Sequence, residues 1–313
     1  MNLRLSLIDF LNAIPLQWGF TQGSARGRFR LLFDVPSQCA RHLRQGQADI
    51  GLIPVIEYQR IPSLSVLPGI SIASKREVKS VIFVSGRPMP EVKRIAVDTS
   101  SRTSVALLRI LLNEFYGNPQ AEFVPRRPDP QGMLEEFDAA LIIGNPALRV
   151  DTRGRRVYDL ANEWYRFTGL PFVFAFWALR RQVDLGEDAA CFYQSRRQGL
   201  RDLPRISRRY AAKLGLSVGE VYDYLSRNLD YSLDQDNLRG LETYYRLAAK
   251  WDLIDTPRPL DMVPLTDEVE EAALLDLSKF EIPALDADSP KEQAQGIPDA
   301  SLPVEAAPSG KKQ

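Results

Sequence analysis

The sequence predicts an α/β fold of two lobes around a central cleft, and three observations predict it. Short apolar runs alternate with helical patterns in the first half of the chain, as strands with crossover helices do. That alternation lapses after Ser85 and starts afresh at Arg94. A long apolar run, Phe172–Leu179, follows, and beyond Asp184 the pattern reads as helical throughout. Two α/β units joined by two crossings, near Ser85–Glu91 and Gly169–Trp177, fit this order. The expected division is residues 1–87 and 177–280 for one lobe and 88–176 for the other.

Each element follows from local chemistry. Leu3–Ile8 reads as a strand, after which Asn12 is placed to cap a short helix with Pro15 near its first turn. Phe29–Asp34 is a second strand. Ser37–Gln45 is a helix with Cys39, Ala40 and Leu43 on one face and Gly46 as its stop. Ile50–Ile53 and Ser80–Ser85 are buried-strand runs in the first unit. In the second unit Arg94–Asp98 is a strand, Thr99–Ser104 leads into a helix reaching Tyr116, and Ala121–Val124 and Ala139–Ile143 are further strands. Gly144-Asn145-Pro146 opens a short helix. Ser217-Val218-Gly219-Glu220 is a capping box, and Asp234 caps a last helix running to Trp251.

Composition narrows the function classes. The 313 residues hold 40 basic and 40 acidic side chains, for a formal net charge of zero. That balance argues against a protein built to bind nucleic acid or an anionic membrane. Two cysteines, Cys39 and Cys191, make no disulfide scaffold. One histidine, His42, leaves little for histidine-based metal sites or a histidine-dependent triad. It falls mid-helix beside Arg41 and Arg44, on the expected solvated side. No apolar stretch is long enough to span a bilayer, and Arg4 and Asp9 interrupt what would be the apolar core of a signal peptide. A cytoplasmic protein with free thiols is expected. From Glu281 to Gln313 there are five prolines, six alanines and no aromatic residue, which reads as a disordered tail. Nothing in the sequence fixes an oligomeric state.

Thr99–Ser104 is the strongest local signal. Five of its six residues carry hydroxyls, and it joins a strand to a helix. A helix start offers free N–H groups and partial positive charge, so Ser100, Ser101, Thr103 and Ser104 are candidate ligands for a carboxylate or phosphate. Ordinary N-capping explains the same residues. Gly144 and Asn145 end a strand in the same lobe and are placed to add donors, or to form only a tight turn. Asn12 follows the first strand, where a cleft residue belongs; Ser80 begins an apolar strand, where a serine is usually filler. The six arginines between Arg196 and Arg209 read as a solvated helical face. No glycine-rich nucleotide loop, nucleophile elbow or metal-spaced His or Cys pair is present.

These residues sit inside a wider pattern. Ile8-Asp9-Phe10-Leu11-Asn12-Ala13-Ile14-Pro15-Leu16 resembles the N-terminal signature of the chorismate dehydratases of the futalosine route to menaquinone. Val35-Pro36-Ser37, the run Leu43–Pro54, Glu57-Tyr58, Val78-Lys79-Ser80-Val81, Ser100–Ser104, Ile143–Arg149 and Thr168–Ala175 continue the match in order. It runs from about residue 3 to residue 255 and leaves the tail outside. The resemblance implies a type II periplasmic-binding-protein-like fold. It also implies a hydro-lyase that turns chorismate into 3-[(1-carboxyvinyl)oxy]benzoate and water, the first committed step of that route, with no metal or organic cofactor. It places the catalytic residues at Asn12 and Ser80. Asn145 stands where some members carry Asp, so a carboxylate is not strictly required there, and Asn145 is kept as a binding residue.

Neither amide nor hydroxyl is a useful base at neutral pH. The resemblance therefore carries a mechanistic expectation: the enolpyruvyl carboxylate of the substrate removes the ring proton, held in place by the protein. Two alternatives remain. A sister enzyme that makes 1,4-dihydroxy-6-naphthoate shares the fold but relies on a cleft histidine, and only His42 is available. A solute-binding protein for a small carboxylate also shares the fold, but the missing signal peptide weighs against it. A transcriptional regulator with such a lobe needs a DNA-binding module that the N-terminal reading does not contain.

Overall fold

A computed structural model describes residues 2–266, 269 and 281–285. Strand β1 (Arg4–Ile8) leads through a 3-10 turn, Leu11–Ala13, into α1 (Ile14–Thr21). Next come β2 (Arg30–Asp34), α2 (Pro36–Arg44), β3 (Ile50–Pro54), α3 (Val55–Arg60) and the long β4 (Leu64–Ser74). The chain then crosses to β5 (Val81–Ser85), β6 (Arg94–Asp98) and α4 (Thr103–Ile110), which a π-helical turn extends over Leu111–Phe115. β7 (Glu122–Arg126), α5 (Pro130–Glu136), β8 (Ala139–Ile143), β9 (Arg156–Asp159) and α6 (Leu160–Thr168) complete this lobe. β10 (Phe172–Arg180) returns to the first lobe. It is followed by α7 (Ala189–Arg201), α8 (Leu203–Leu214), α9 (Val218–Asp223), a π-helical turn at Tyr224–Asn228, β11 (Asp230–Leu233) and α10 (Gln235–Lys250).

The strands form two sheets, in the orders β11-β4-β10-β3-β1-β2 and β7-β6-β8-β5-β9. β1 runs parallel to β2 and β3, and β6 parallel to β7 and β8. β10 is antiparallel to β3 and β4, and β5 is antiparallel to β8 and β9. Helices cover both sheets, so β3, β5 and β8 are buried along their whole length, as inner strands of covered sheets are. In the first lobe Phe20, Trp177 and Phe192 pack edge to face between α1, β10 and α7. Helix ends follow the expected caps: Ser217 and Glu220 form the capping box of α9, and Asp234 accepts from Asn237 N–H at the start of α10. Among the described residues no helix is long and apolar enough to cross a membrane.

Several expectations need correction. The strand at residues 81–85, expected in the first unit, pairs with β8 and β9 in the second sheet. The first crossing is therefore the segment between Ser74 and Val81, earlier than Ser85–Glu91. The second lies between Thr168 and Phe172, because β10 pairs in the first sheet from Phe172 onward. An apolar strand reads alike in either sheet, so periodicity alone cannot assign it. The region beyond Asp184 is not helical throughout, since β11 pairs with β4. Gly144-Asn145-Pro146 starts a set of turns and no helix. His42 is largely buried, at 18% side-chain exposure, with Nδ1 2.9 Å from Ser6 Oγ and Nε2 3.8 Å from Asp34. Apart from residues 281–285, the expected disordered tail lies outside the described residues.

Candidate active site

The carboxyl ends of the parallel strands in both sheets point into one cleft. Ile8, Pro36 and Pro54 come from the ends of β1, β2 and β3; Ser101 and Ile143 come from the ends of β6 and β8. This is where open α/β sheets bind ligands. The cleft encloses about 510 Å³ of non-atom space, open solvent included. Its walls are mostly apolar, with Phe10, Ile72, Val78, Val81 and Phe174 around the void. The polar groups are few: Asn12 from the first lobe, and Ser101, Arg102, Thr103, Ser104 and the Gly144 backbone from the second.

Asn12 caps no helix. The 3-10 turn is capped at Phe10 and α1 at Ala13, neither by a side chain. Its Oδ1 is buried without a hydrogen-bond partner. Ser101 Oγ, from the other lobe, is likewise buried and unpartnered. A buried polar atom left unpaired costs about 1–3 kcal/mol; of the seven such side-chain atoms among the described residues, these are the two that belong to wall residues.

The other expected residues separate. Thr103 and Ser104 lie at the first turn of α4 on the wall. The Thr103 hydroxyl also accepts from Ile56 N–H at 3.4 Å, and its carbonyl accepts from the Tyr244 hydroxyl at 3.1 Å, so it ties the lobes together. Asn145 does the same: its Oδ1 accepts from Leu11 N–H at 2.9 Å. Gly144 is in the left-handed region at φ 67, and a Cβ there would come within 2.7 Å of the Phe10 ring. Ser100 is off the wall. Its hydroxyl and its N–H both donate to Asp98, at 2.6 and 2.7 Å. Burial raises the Asp98 carboxyl above the usual aspartate range, and these two bonds partly offset the rise.

Ser80 is fully buried and does not itself face the void. Its sequence neighbours Val78 and Val81 do, and its carbonyl accepts from the N–H of Gly144, a third wall residue, at 2.8 Å. Its Oγ has no hydrogen bond of good geometry; the buried phenol of Tyr224 faces it. Ser80 therefore stands one layer behind the wall.

Arg102 was not singled out by sequence. It lines the cleft and is exposed, and among the described residues its guanidinium makes no ion pair or hydrogen bond. It gives the cleft wall a free cation at the start of α4, where the helix already favours an anion. The available signal was the absence of an acid at i+3 or i+4, where Val105 and Ala106 stand. His42 does not line this cleft. Among the described residues no three His, Cys, Asp or Glu side chains are grouped so as to hold a metal ion.

Comparison with known proteins adds to this geometry. Residues 3–250 match the model of a family described as menaquinone biosynthesis. A chorismate dehydratase of Thermus thermophilus is 32% identical over 235 residues, covering 69% of this chain and 85% of that protein. A protein of Archaeoglobus fulgidus has a similar fold, with a TM-score of 0.67 at 20% identity over 80% of this chain and 98% of its own. A Candida albicans protein described as having the generic periplasmic binding protein fold superposes with a TM-score of 0.56 at 12% identity, over 86% of this chain and 99% of its own.

Proposed function

The chain belongs to the menaquinone-biosynthesis family, and from that membership we infer that it is a chorismate dehydratase, converting chorismate to 3-[(1-carboxyvinyl)oxy]benzoate with loss of water. The observation that carries this reading into the site is the pair of buried, unpartnered polar atoms, Asn12 Oδ1 and Ser101 Oγ, on the walls of an otherwise apolar cleft.

Chorismate carries two carboxylates on one small ring system. The apolar walls take the ring. Arg102, with the Ser101 and Ser104 hydroxyls and the free N–H groups that begin α4, takes one carboxylate. The hydrogen on the ether-bearing ring carbon is vinylogous to the ring carboxylate. Its loss gives an extended enolate, and expulsion of the adjacent hydroxyl makes the ring aromatic. The enolpyruvyl carboxylate takes that proton, which ends on the departing hydroxyl as water. Asn12 holds the reacting groups by hydrogen bonds from the wall, Ser80 acts from one layer behind it, and neither is the base. Orientation in a largely apolar cleft is what the protein supplies. The reaction needs no metal or organic cofactor, and the enzyme works in the cytoplasm.

The test is direct. Incubated with chorismate, the purified protein removes the diene absorbance and yields an aromatic product lighter than the substrate by one water. Saturable binding of chorismate without any product would overturn the dehydratase reading in favour of a binding protein.

A further inference from the structure

Ser80 is held by a segment whose backbone is bent out of its ordinary range. Lys79 is not glycine, yet it sits in the left-handed region at φ 60. Ser80 N–H donates to the Val78 carbonyl at 2.7 Å, which closes a γ-turn of the rarer, strained hand with Lys79 at its corner. Such a turn persists only where its surroundings enforce it. Here one side chain does so. Asp159, at the end of β9, accepts from Val78 N–H at 2.9 Å and Lys79 N–H at 2.6 Å through Oδ2. Its Oδ1 accepts from Ala161 and Asn162 N–H at 3.0 and 3.1 Å, capping α6. A single carboxylate thus ties the first lobe crossing to a helix start, with four backbone donors on its two oxygens.

We propose that Asp159 is a positioning residue for the dehydration: by clamping Val78 and Lys79 it holds the strained turn that aims Ser80 at the rear of the cleft. The proposal rests on the role given to Ser80 above. Ser80 is fixed on its other side through the bond from Gly144 N–H to its carbonyl, so the clamp and the cleft wall together set where Oγ stands. A carboxylate suits the task because it accepts on both oxygens. An amide in the same place has one acceptor, and its NH2 would meet N–H donors on the other side.

The same carboxylate is costly to keep ionised. Burial raises it to about 6 against the lowering by its backbone donors, with Glu77 of the crossing pushing the same way as burial. Glu77 and the Tyr224 phenol face it, and Lys79, which it holds by the N–H, carries an exposed cation. Below about pH 6 Asp159 takes a proton, one oxygen becomes a donor, and the clamp loosens.

Four proteins settle the matter: wild type, Asp159→Asn, Ser80→Ala and the double variant, assayed for kcat and KM from pH 5 to 8. The expected result is a kcat for Asp159→Asn lowered by roughly 10- to 100-fold at pH 7.5 with KM changed less than about threefold. The wild-type acid limb near pH 6 is absent from Asp159→Asn. In the Ser80→Ala background the second substitution costs no more than about twofold, because it acts through a group already removed. An equal penalty from Asp159→Asn with and without Ser80, or an acid limb that persists in the variant, would overturn the clamp. Should Asp159→Asn fail to fold, Asp159→Ser, whose hydroxyl can still cap α6, takes its place, and a wild-type kcat for that variant overturns the clamp. Full activity of Ser80→Ala is a separate result, which removes the role of Ser80 itself.

Discussion

Two strand-to-helix turns face each other across the cleft, one after β1 and one after β6. They look equivalent: each follows the carboxyl end of a parallel strand and opens a helix. Their chemistry differs. The turn after β1 presents a neutral amide and an aromatic ring, Asn12 and Phe10, and no charged side chain on the wall. The turn after β6 presents Arg102, three hydroxyls and the free N–H groups of α4. The contrast suits a division of work on a doubly charged substrate. On the proposed reading the second lobe fixes one carboxylate, and the first supplies hydrogen bonds to the reacting groups. Pairing a carboxylate in the ground state lowers KM, whereas bonds that strengthen as charge moves raise kcat.

The largest effect tests the first lobe. Asn12→Ala removes a side chain that bonds to nothing in the protein through its oxygen, so the fold loses little. If the amide holds the reacting groups, kcat falls by roughly 10²- to 10³-fold while the melting temperature stays within about 2 °C of wild type. Steady-state rates beside a thermal melt check both halves, and an unchanged kcat breaks the division of labour. The second effect tests the other lobe. Arg102→Gln exchanges the free cation for a neutral side chain. A hydrogen bond to a charged group is worth about 1.5–3 kcal/mol, so KM rises about 10- to 100-fold with a smaller change in kcat. The wild-type KM also rises with added salt, and that dependence flattens in Arg102→Gln. A kcat loss as large as that of Asn12→Ala would show that the lobes share one role.

How far the sequence carried depends on what each residue had to reveal. Inner strands such as β3 and β8 are legible because burial on both faces leaves unbroken apolar runs. β4 was missed because Pro68-Gly69 interrupts it; these residues fall in an irregularity between Val66 and Ser71, where pairing with β10 shifts register. The hydroxyl-rich turn was legible as a helix start, but its members were not separable. Whether a serine turns to the cleft, as Ser101 does, or back to Asp98, as Ser100 does, depends on one strand-end carboxylate. The tie between Asn145 and Leu11 joins residues 134 apart in the chain, and no local pattern encodes it. Family resemblance pointed to Ser80, but not to its position one layer behind the wall, and nothing local in the sequence links Asp159 to it.

The smallest effect on activity sharpens the comparison within one turn. Ser100 and Ser101 are adjacent, yet only Ser101 faces the cleft. Ser100→Ala should leave kcat and KM within about twofold of wild type and act on stability instead. It removes the hydroxyl bond to Asp98, a loss of about 1–3 kcal/mol. The sign of its pH dependence follows from the Asp98 carboxyl, which burial raises in the folded protein and the Ser100 bonds lower. Above the ordinary aspartate range the folded protein holds this proton more tightly than the unfolded chain does. Stability therefore falls with rising pH until Asp98 is ionised in both states. Losing Ser100 raises the folded carboxyl further, so the fall extends to higher pH and grows in size. Denaturant melts of wild type and Ser100→Ala between pH 4 and 8 should diverge as pH rises. Curves that stay parallel over that range would mean that the hydroxyl does not stabilise the buried carboxylate, and the separation of the two serines would then rest on position alone.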